Sequence, residues 1–230
     1  MPPKYIDDAR SRIQSNLKKF GPILNHAKSK SLNEADTRDI VKAMIHELLG
    51  FDPFFEVTGE FSIKGQYADF AVKIGEEIRF FVEVKSIDAK LDEKHLYQVI
   101  GYAANHGVEW AVLTNGARWQ VYRLFAGESK KTQLVLDFEV GTTPASELTD
   151  YFLKCCKEGF RQDMLSSHWS SIQAFNPLRV ATILTDPSVL TCVRKELKKQ
   201  SGMNFDEEAI ADLILNRVIR GDLADQVKGG

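Results

Sequence analysis

Three side chains that could act on a phosphate group lie on two neighbouring predicted strands. Asp69 belongs to the segment QYADFAVKI, and Glu83 and Lys85 belong to EIRFFVEVKSI; both segments alternate in polarity as strands do. Carboxylates and a lysine among apolar neighbours are costly to bury unless they pair with each other or hold a metal ion. The sequence therefore indicates either a salt-bridge cluster on a solvated sheet face or the site of a metal-dependent phosphodiesterase.

The phase of the two strands predicts that these side chains share one face of a sheet. A hairpin loop centred on Glu76 would pair Ile74 with Ile78 and place Asp69 directly opposite Glu83. Directly opposed residues have Cβ atoms about 4.5–5.5 Å apart. Two carboxylates at that separation repel each other unless a cation lies between them or one of them is protonated.

The chemistry that follows from this arrangement is magnesium-dependent hydrolysis. Mg²⁺ usually takes one or two protein carboxylates and leaves its other positions to water and substrate phosphate. Asp69 and Glu83 are the candidate ligands, and the backbone carbonyl of Val84 is a third. Lys85 could position the attacking water or stabilise charge on the phosphorane. Mn²⁺ could substitute for Mg²⁺.

A helix upstream of the strands adds a further carboxylate. The segment NEADTRDIVKAMIHELLGFD has an apolar stripe at helical spacing, with Asn33 as the predicted N-cap and Gly50 at the end. Glu34 projects near the direction of Val41 and Ile45, which is the side facing the sheet. An acidic residue in the first turn can equally serve only to complement the helix dipole.

The segment after the two strands reads as a helix followed by a hairpin. Gln98 and Tyr102 lie one turn apart on the helix, where Gln98 could hydrogen-bond water or phosphate with support from Tyr102; a polar helix edge is the alternative. Asn115-Gly116 between two apolar runs is a strong hairpin signal. The predicted strands around the two central ones are Phe54–Ile63, Trp110–Thr114, Arg118–Leu124 and residues 133–140.

The order of these elements resembles the PD-(D/E)xK nuclease superfamily. More narrowly, residues 31–140 resemble the N-terminal nuclease domain of type I restriction enzyme R subunits and stand-alone proteins described as predicted type IV restriction endonucleases. The D…ExK motif is weakly specific alone, but the Gln-x-x-x-Tyr helix and the LTNG-x-x-W-x-x-Y hairpin follow it in the family's order. Ala68 replaces the proline of the superfamily's name, a variation that leaves the metal ligands in place.

This resemblance implies a fold, a reaction and a set of roles. The fold would be α/β, a restriction-endonuclease-like mixed sheet flanked by helices, followed by a small all-helical C-terminal region. The reaction would be Mg²⁺-dependent endonucleolytic cleavage of DNA in a restriction or defence system. Metal binding falls to Asp69 and Glu83, catalysis to Lys85, assistance to Glu34 and Gln98, and support to Tyr102. The alternative is a catalytically silent nucleic-acid- or protein-binding module on the same fold.

The flanking segments predict helices around this domain. Residues 1–30 read as an amphipathic helix that packs on the core and breaks at Gly21-Pro22, and residues 31–140 form the nuclease domain. Residues 141–144 read as a linker, and residues 145–225 as a helical subdomain that contacts a second copy or a partner. The predicted helices there are Ala145–Gly159, Leu165–Phe175, Pro177–Leu184, Pro187–Gln200 and Asp206–Arg220.

Composition narrows the class of protein. The chain has 230 residues, 43% hydrophobic and 27% charged, with a net charge of −2, so DNA contact would depend on local basic patches rather than on overall charge. No signal peptide or membrane-length apolar run is present, and the three cysteines lack zinc-site spacing, which predicts a cytoplasmic location. No G-x-x-x-x-G-K-[ST] loop occurs, so we expect no ATP site. The expected partners are DNA, a second copy in a homodimer and a restriction-system protein.

Overall fold

The computed structural model describes residues 3–63, 66–97, 100, 103, 107–125 and 132–228. By its internal contacts the chain forms two compact units, residues 1–165 and residues 166–230. The predicted division of the chain into an N-terminal helix, a nuclease domain and a helical C-terminal subdomain remains a prediction. Within the described residues, no helix is both long and apolar enough to cross a membrane.

A six-stranded mixed sheet forms the centre of the first unit, in the order β1-β2-β3-β4-β5-β6. Among the described strands, β3 and β4 are parallel neighbours, and the other adjacent pairs are antiparallel. The α/β mixed sheet followed by a helical region confirms the predicted fold class. The strands are Val57–Ile63, Gln66–Ile74, Glu77–Val84, Trp110–Thr114, Arg118–Leu124 and Thr132–Glu139.

The β2–β3 hairpin turns one residue earlier than the sequence predicted. Ile74 pairs with Glu77 rather than with Ile78, because the loop has only two residues, Gly75 and Glu76. Gly75 has a φ of 62°, a left-handed conformation that glycine adopts without strain. The register then shifts between Val72 and the next residue, so that Phe70 lies opposite Val82. Beyond this irregularity the predicted register holds.

The first strand is shorter than predicted. β1 begins at Val57, whereas Phe54 and Phe55 lie in a turn and expose their rings to solvent. The Asp52 carboxylate accepts hydrogen bonds from the backbone N–H groups of both phenylalanines, which holds the turn. This local acceptor competes with strand pairing and explains why two residues with high strand propensity are outside the sheet.

The β4–β5 hairpin has the predicted boundaries. The Asn115 carboxamide oxygen accepts hydrogen bonds from the backbone N–H groups of Ala117 and Arg118. Gly116 has a φ of 82°, and a Cβ there would lie 3.2 Å from Cδ2 of Leu24. The turn therefore needs glycine both for its backbone conformation and for its close packing against the first helix.

Two helices precede the sheet. The first, α1, spans Lys4–Ser29 and α2 spans Glu34–Glu47. The predicted break at Gly21-Pro22 is wrong, because α1 continues through both residues. Proline removes one backbone hydrogen bond from a helix interior, but Phe20 and Leu24 on either side are buried, and this packing keeps the helix continuous.

The helices after the sheet divide between the two units. α3 (Ala145–Cys155) and α4 (Lys157–Arg161) belong to the first unit; the predicted single helix is interrupted at Cys156, whose ψ of 167° is extended. The remaining elements are α5 (Met164–Ala174), α6 (Pro177–Leu184), α7 (Pro187–Ser201), α8 (Glu207–Leu213), a π-helical turn (Ile214–Val218) and α9 (Gly221–Lys228).

The second unit has a small core of its own. Leu190, Ile210 and Ile214 form its buried cluster. Its helices are capped by side chains: oxygens of Asn176, Asp186 and Asp206 accept hydrogen bonds from backbone N–H groups at the starts of α6, α7 and α8. The predicted last helix is interrupted after Leu213 by the π-helical turn.

Aromatic and ionic contacts join the helices of the first unit to the sheet. Phe80 of β3 packs edge-on against Phe51, which follows α2, and stacks on Phe160 of α4. Arg12 of α1 donates two hydrogen bonds to the Glu158 carboxylate, at 2.9 and 2.7 Å, and two longer ones to backbone carbonyls at the end of α2. One guanidinium therefore connects α1, α2 and α4.

We expect Arg12→Met to lower the free energy of unfolding by about 2–3 kcal/mol, because it leaves Glu158 and the α2 carbonyls without their donor in a poorly hydrated position. The side chains of Arg12 and Glu158 are only 28% and 20% exposed. Arg10→Met is the matched control, because Arg10 lies on the same helix as Arg12 and also pairs with a carboxylate, that of Asp150 on α3. The side chains of Arg10 and Asp150 are 40% and 51% exposed. That control should cost less than about 1 kcal/mol. Equal losses in denaturant unfolding would contradict this role for Arg12.

Candidate active site

Asp69 is held at the middle of β2 by a backbone group of the neighbouring strand. Its Oδ2 accepts a hydrogen bond of 2.7 Å from the N–H of Val84, the last residue of β3. The pKa of Asp69 is raised by burial, against the opposing effects of this hydrogen bond and of the Lys85 charge. The carboxylate is thus fixed in orientation while its ionised form remains costly.

Glu83 and Lys85 form a close ion pair beside Asp69. Lys85 Nζ lies 2.8 Å from Oε1 of Glu83, and the Glu83 residue is only 8% exposed. Burial raises the pKa of Glu83 to about 7; the Lys85 hydrogen bond opposes the shift and the Asp69 charge adds to it. For Lys85, burial lowers the pKa, but Glu83 and Glu34 outweigh it and raise the pKa. Lys85 therefore stays protonated and compensates part of the anionic charge.

Strand pairing fixes the position of the Lys85 backbone. Its backbone N–H donates a 2.8 Å hydrogen bond to the carbonyl of Thr114, a fully buried residue at the end of β4. The parallel pairing of β3 and β4 ends at Val84 opposite Thr114. The lysine consequently lies directly after the C-terminal end of β3, a central strand, where its side chain is part-buried and reaches two carboxylates.

Glu34 lies at the start of α2, as the helical phase predicted. Asn33 is the N-cap, and its carboxamide oxygen accepts the N–H of Asp36 at 2.9 Å. Glu34 Oε2 lies 3.3 Å from Lys85 Nζ, and about half of the Glu34 side chain is exposed. The helix start thus brings a second carboxylate to the lysine, and the third to the site, on the more solvated side.

Sequence reasoning did not single out Arg38, which the structure adds to this site. Arg38 lies one turn after Glu34 on α2, and its Nη1 is 3.6 Å from Oδ1 of Asp69 and 3.3 Å from Oε1 of Glu60. Glu60 has a φ of 48°, and it falls at an irregular point in the pairing of β1 with β2. The position of Arg38 four residues after Glu34 was a sequence signal that could have identified it. Nothing in the sequence indicated the backbone irregularity at Glu60.

The other predicted helper residues, Gln98 and Tyr102, lie outside the described residues. Their described neighbours Tyr97, Ile100 and Ala103 are helical, in agreement with a helix in this segment. Ile100 and Ala103 are buried in a cluster with Ala71 and Phe81, which the strand phase places on the sheet face of Asp69 and Glu83.

The donor set suits a small divalent cation. Two mostly buried carboxylates with raised pKa values gain from a cation that favours their ionised forms. Among the described residues there is no group of three or more His, Cys, Asp or Glu side chains placed to hold a metal ion. Mg²⁺ needs only one or two carboxylates, with water and phosphate completing its shell. Asp69 and Glu83 fit that requirement, and Val84 is adjacent.

The mixed sheet, with carboxylates on β2 and β3 and a lysine directly after β3, is the arrangement of a PD-(D/E)xK-like nuclease. Comparison with protein families agrees: residues 54–137 match the family described as type I restriction enzyme R protein N terminus. This confirms the family resemblance for a segment that includes Asp69, Glu83 and Lys85. Glu34 and Arg38 lie outside the matched segment. No curated protein matches the chain, and no solved structure does either.

The raised pKa of Glu83 makes stability depend on pH. Because burial raises the pKa from the ordinary 4.5 to about 7, the unfolded chain loses this proton at lower pH than the folded chain does. Stability should therefore fall by about 1–3 kcal/mol as the pH rises through this window and then level off. In Glu83→Gln this part of the fall should disappear, as urea unfolding at a series of pH values would measure. Excess Mg²⁺ should also reduce the fall in the wild type. Identical pH profiles for the two proteins would contradict the assignment.

Proposed function

We propose that this protein is a divalent-cation-dependent endonuclease that hydrolyses DNA phosphodiester bonds in a restriction system. The observation that carries the proposal is the meeting of Asp69, Glu83 and Lys85 at the junction of β2 and β3, within the segment that matches a restriction-enzyme domain. A surface salt bridge accounts poorly for this cluster, because Glu83 is buried and Asp69 is tied to a backbone amide rather than to the lysine.

The proposed roles follow from position and charge. Asp69 and Glu83 would hold the cation, with the Val84 carbonyl as a further ligand, and a cation held there would supply polarisation of the scissile phosphate and a lower pKa for a water molecule. Lys85 remains protonated between Glu83 and Glu34 and donates hydrogen bonds toward developing negative charge at the phosphate. Glu34 keeps Lys85 oriented from the solvent side. Gln98 and Tyr102 keep the assisting roles that the family resemblance implies.

The direct test is cleavage of supercoiled plasmid in Mg²⁺ or Mn²⁺. We expect the wild type to nick and linearise DNA, and Asp69→Ala, Lys85→Ala and Glu83→Gln to lose at least about a hundredfold in rate. Glu77→Gln is the matched control for Glu83→Gln, because it makes the same change at the opposite, exposed end of β3 and should cut normally.

The controls separate catalysis from folding and contamination. Thermal melting should show that each variant is folded, and EDTA should stop cleavage by the wild type. Equal cleavage by the wild type, Asp69→Ala and Lys85→Ala would overturn the site. Failure of the wild type to cut methylated or unmethylated DNA or RNA would favour a non-catalytic binding module on the same fold.

Cutting both DNA strands is simplest for a homodimer, and the helices of residues 145–225 are the proposed contact. The second unit has several exposed apolar side chains on its helices, among them Phe175, Met203, Leu213 and Val218. We expect light scattering to give the mass of a dimer at high protein concentration or on DNA. A monomeric mass under both conditions would rule the dimer out.

A further inference from the structure

A cavity of about 300 Å³ opens next to Asp69, and neither Lys85 nor Glu83 is among its lining residues. The helix α2 supplies Arg38 and Lys42 to its wall, at a spacing of four residues that places them on consecutive turns of one helix face. The remaining lining residues are Asp39, Gly59, Glu60, Asp69 and Phe70. The cavity therefore joins the candidate metal ligand Asp69 to two cationic side chains.

Within the described residues, Arg38 lacks the paired hydrogen bonds to one carboxylate that hold three other arginines of this unit. Arg12, Arg118 and Arg123 each donate two hydrogen bonds to one carboxylate. Arg38 instead contacts Glu60 and Asp69 at 3.3 and 3.6 Å through one nitrogen, and it donates no hydrogen bond to any residue in the described part of the chain. A guanidinium has five N–H donors in a planar fork that matches a phosphate.

The charge of the cavity wall depends on whether a cation is bound at Asp69. Three carboxylates, on Asp39, Glu60 and Asp69, outnumber the two cationic side chains, so a phosphate would be repelled from the metal-free site. A divalent cation on Asp69 and Glu83 adds two positive charges and reverses this balance. The same cation weakens the attraction between Asp69 and Arg38, which releases the guanidinium.

We propose that this cavity binds a backbone phosphate of the nucleic acid next to the phosphate that is cut. Arg38 is its main ligand and Lys42 its second. Arg38 holds Asp69 in the absence of a cation and exchanges Asp69 for the phosphate once a cation is bound. The proposal rests on the nuclease function proposed above, since it concerns a neighbouring part of the same substrate.

If Arg38 exchanges Asp69 for phosphate, Arg38→Gln should have opposite effects on the affinities for Mn²⁺ and for DNA. Arg38→Gln should raise the affinity for Mn²⁺ measured by isothermal titration calorimetry without DNA, because a competing positive charge beside Asp69 is gone. The same variant should bind a fluorescein-labelled DNA duplex about tenfold more weakly in Ca²⁺, as measured by fluorescence anisotropy, because charge-assisted hydrogen bonds to phosphate are lost. In EDTA the duplex affinity should change little.

Two further variants make these measurements specific. Lys42→Gln should weaken duplex binding in Ca²⁺ but leave Mn²⁺ affinity unchanged, because Lys42 forms no ion pair within the described residues. Arg79→Gln is the matched control: the Arg79 side chain is 31% exposed, against 33% for Arg38, but lies at the other end of β3. It should change neither affinity. Since misfolding lowers both affinities together, a rise in one and a fall in the other identifies the site.

The outcomes distinguish this inference from the proposed function. If Arg38→Gln binds the duplex like the wild type in Ca²⁺, or loses as much affinity in EDTA, the phosphate site is overturned, whether or not the wild type cuts DNA. If the affinities change as expected but the wild type cleaves nothing in Mg²⁺, the phosphate site stands as a binding site and the nuclease function falls. Gel analysis of the duplex after each titration confirms that it stayed intact.

Discussion

Asp69 and Glu83 bring two negative charges into a mostly buried part of the sheet, and the surrounding structure compensates for that cost. The Val84 N–H, the Lys85 ammonium and the Arg38 guanidinium each contact one of the two carboxylates. The compensation is incomplete, since burial still raises the pKa of both acids. A divalent cation beside them would favour the ionised form of both acids.

The three groups that contact the carboxylates come from different parts of the fold. The Val84 amide belongs to the strand itself, Lys85 follows from the end of the parallel pairing with β4, and Arg38 comes from α2. The position of the acids is thus set by the sheet, while their electrostatic environment is completed by a helix earlier in the chain. Under the proposed exchange, Arg38 of this helix would change the affinity for ligands while the sheet keeps the carboxylates in place.

Much of this arrangement follows from the sequence. The β4–β5 hairpin was predicted residue for residue, because Asn115-Gly116 specifies the turn and the flanking runs are rich in apolar residues. Strand alternation predicted the strands of Asp69 and Glu83, and helical phase predicted that Glu34 faces the sheet. These successes depend on local signals, since a turn type and an apolar period are written in neighbouring residues.

The features that the sequence did not predict depend on contacts between distant residues. Propensity favoured a strand at Phe54 and a helix break at Pro22, but the Asp52 carboxylate and the packing around Phe20 decided otherwise. The early turn of the β2–β3 hairpin is compensated by an irregularity several residues away. Arg38 also contacts Glu60, whose left-handed backbone is not evident from the sequence. The position of Arg38 four residues after Glu34 was a local signal, but its contacts with Glu60 and Asp69 depend on the tertiary structure.

The turn at Gly116 shows how the parts of the first unit depend on one another. Its backbone lies against Leu24 of α1, Thr37 of α2 and Ile87 beyond Lys85, so three segments meet at one glycine. Two of the three precede the segment that matches the restriction-enzyme family. The segment that matches the family is therefore shorter than the segment that packs together as one unit. Exchange of this module between proteins would have to carry both N-terminal helices with the sheet, because the β4–β5 turn packs against both of them.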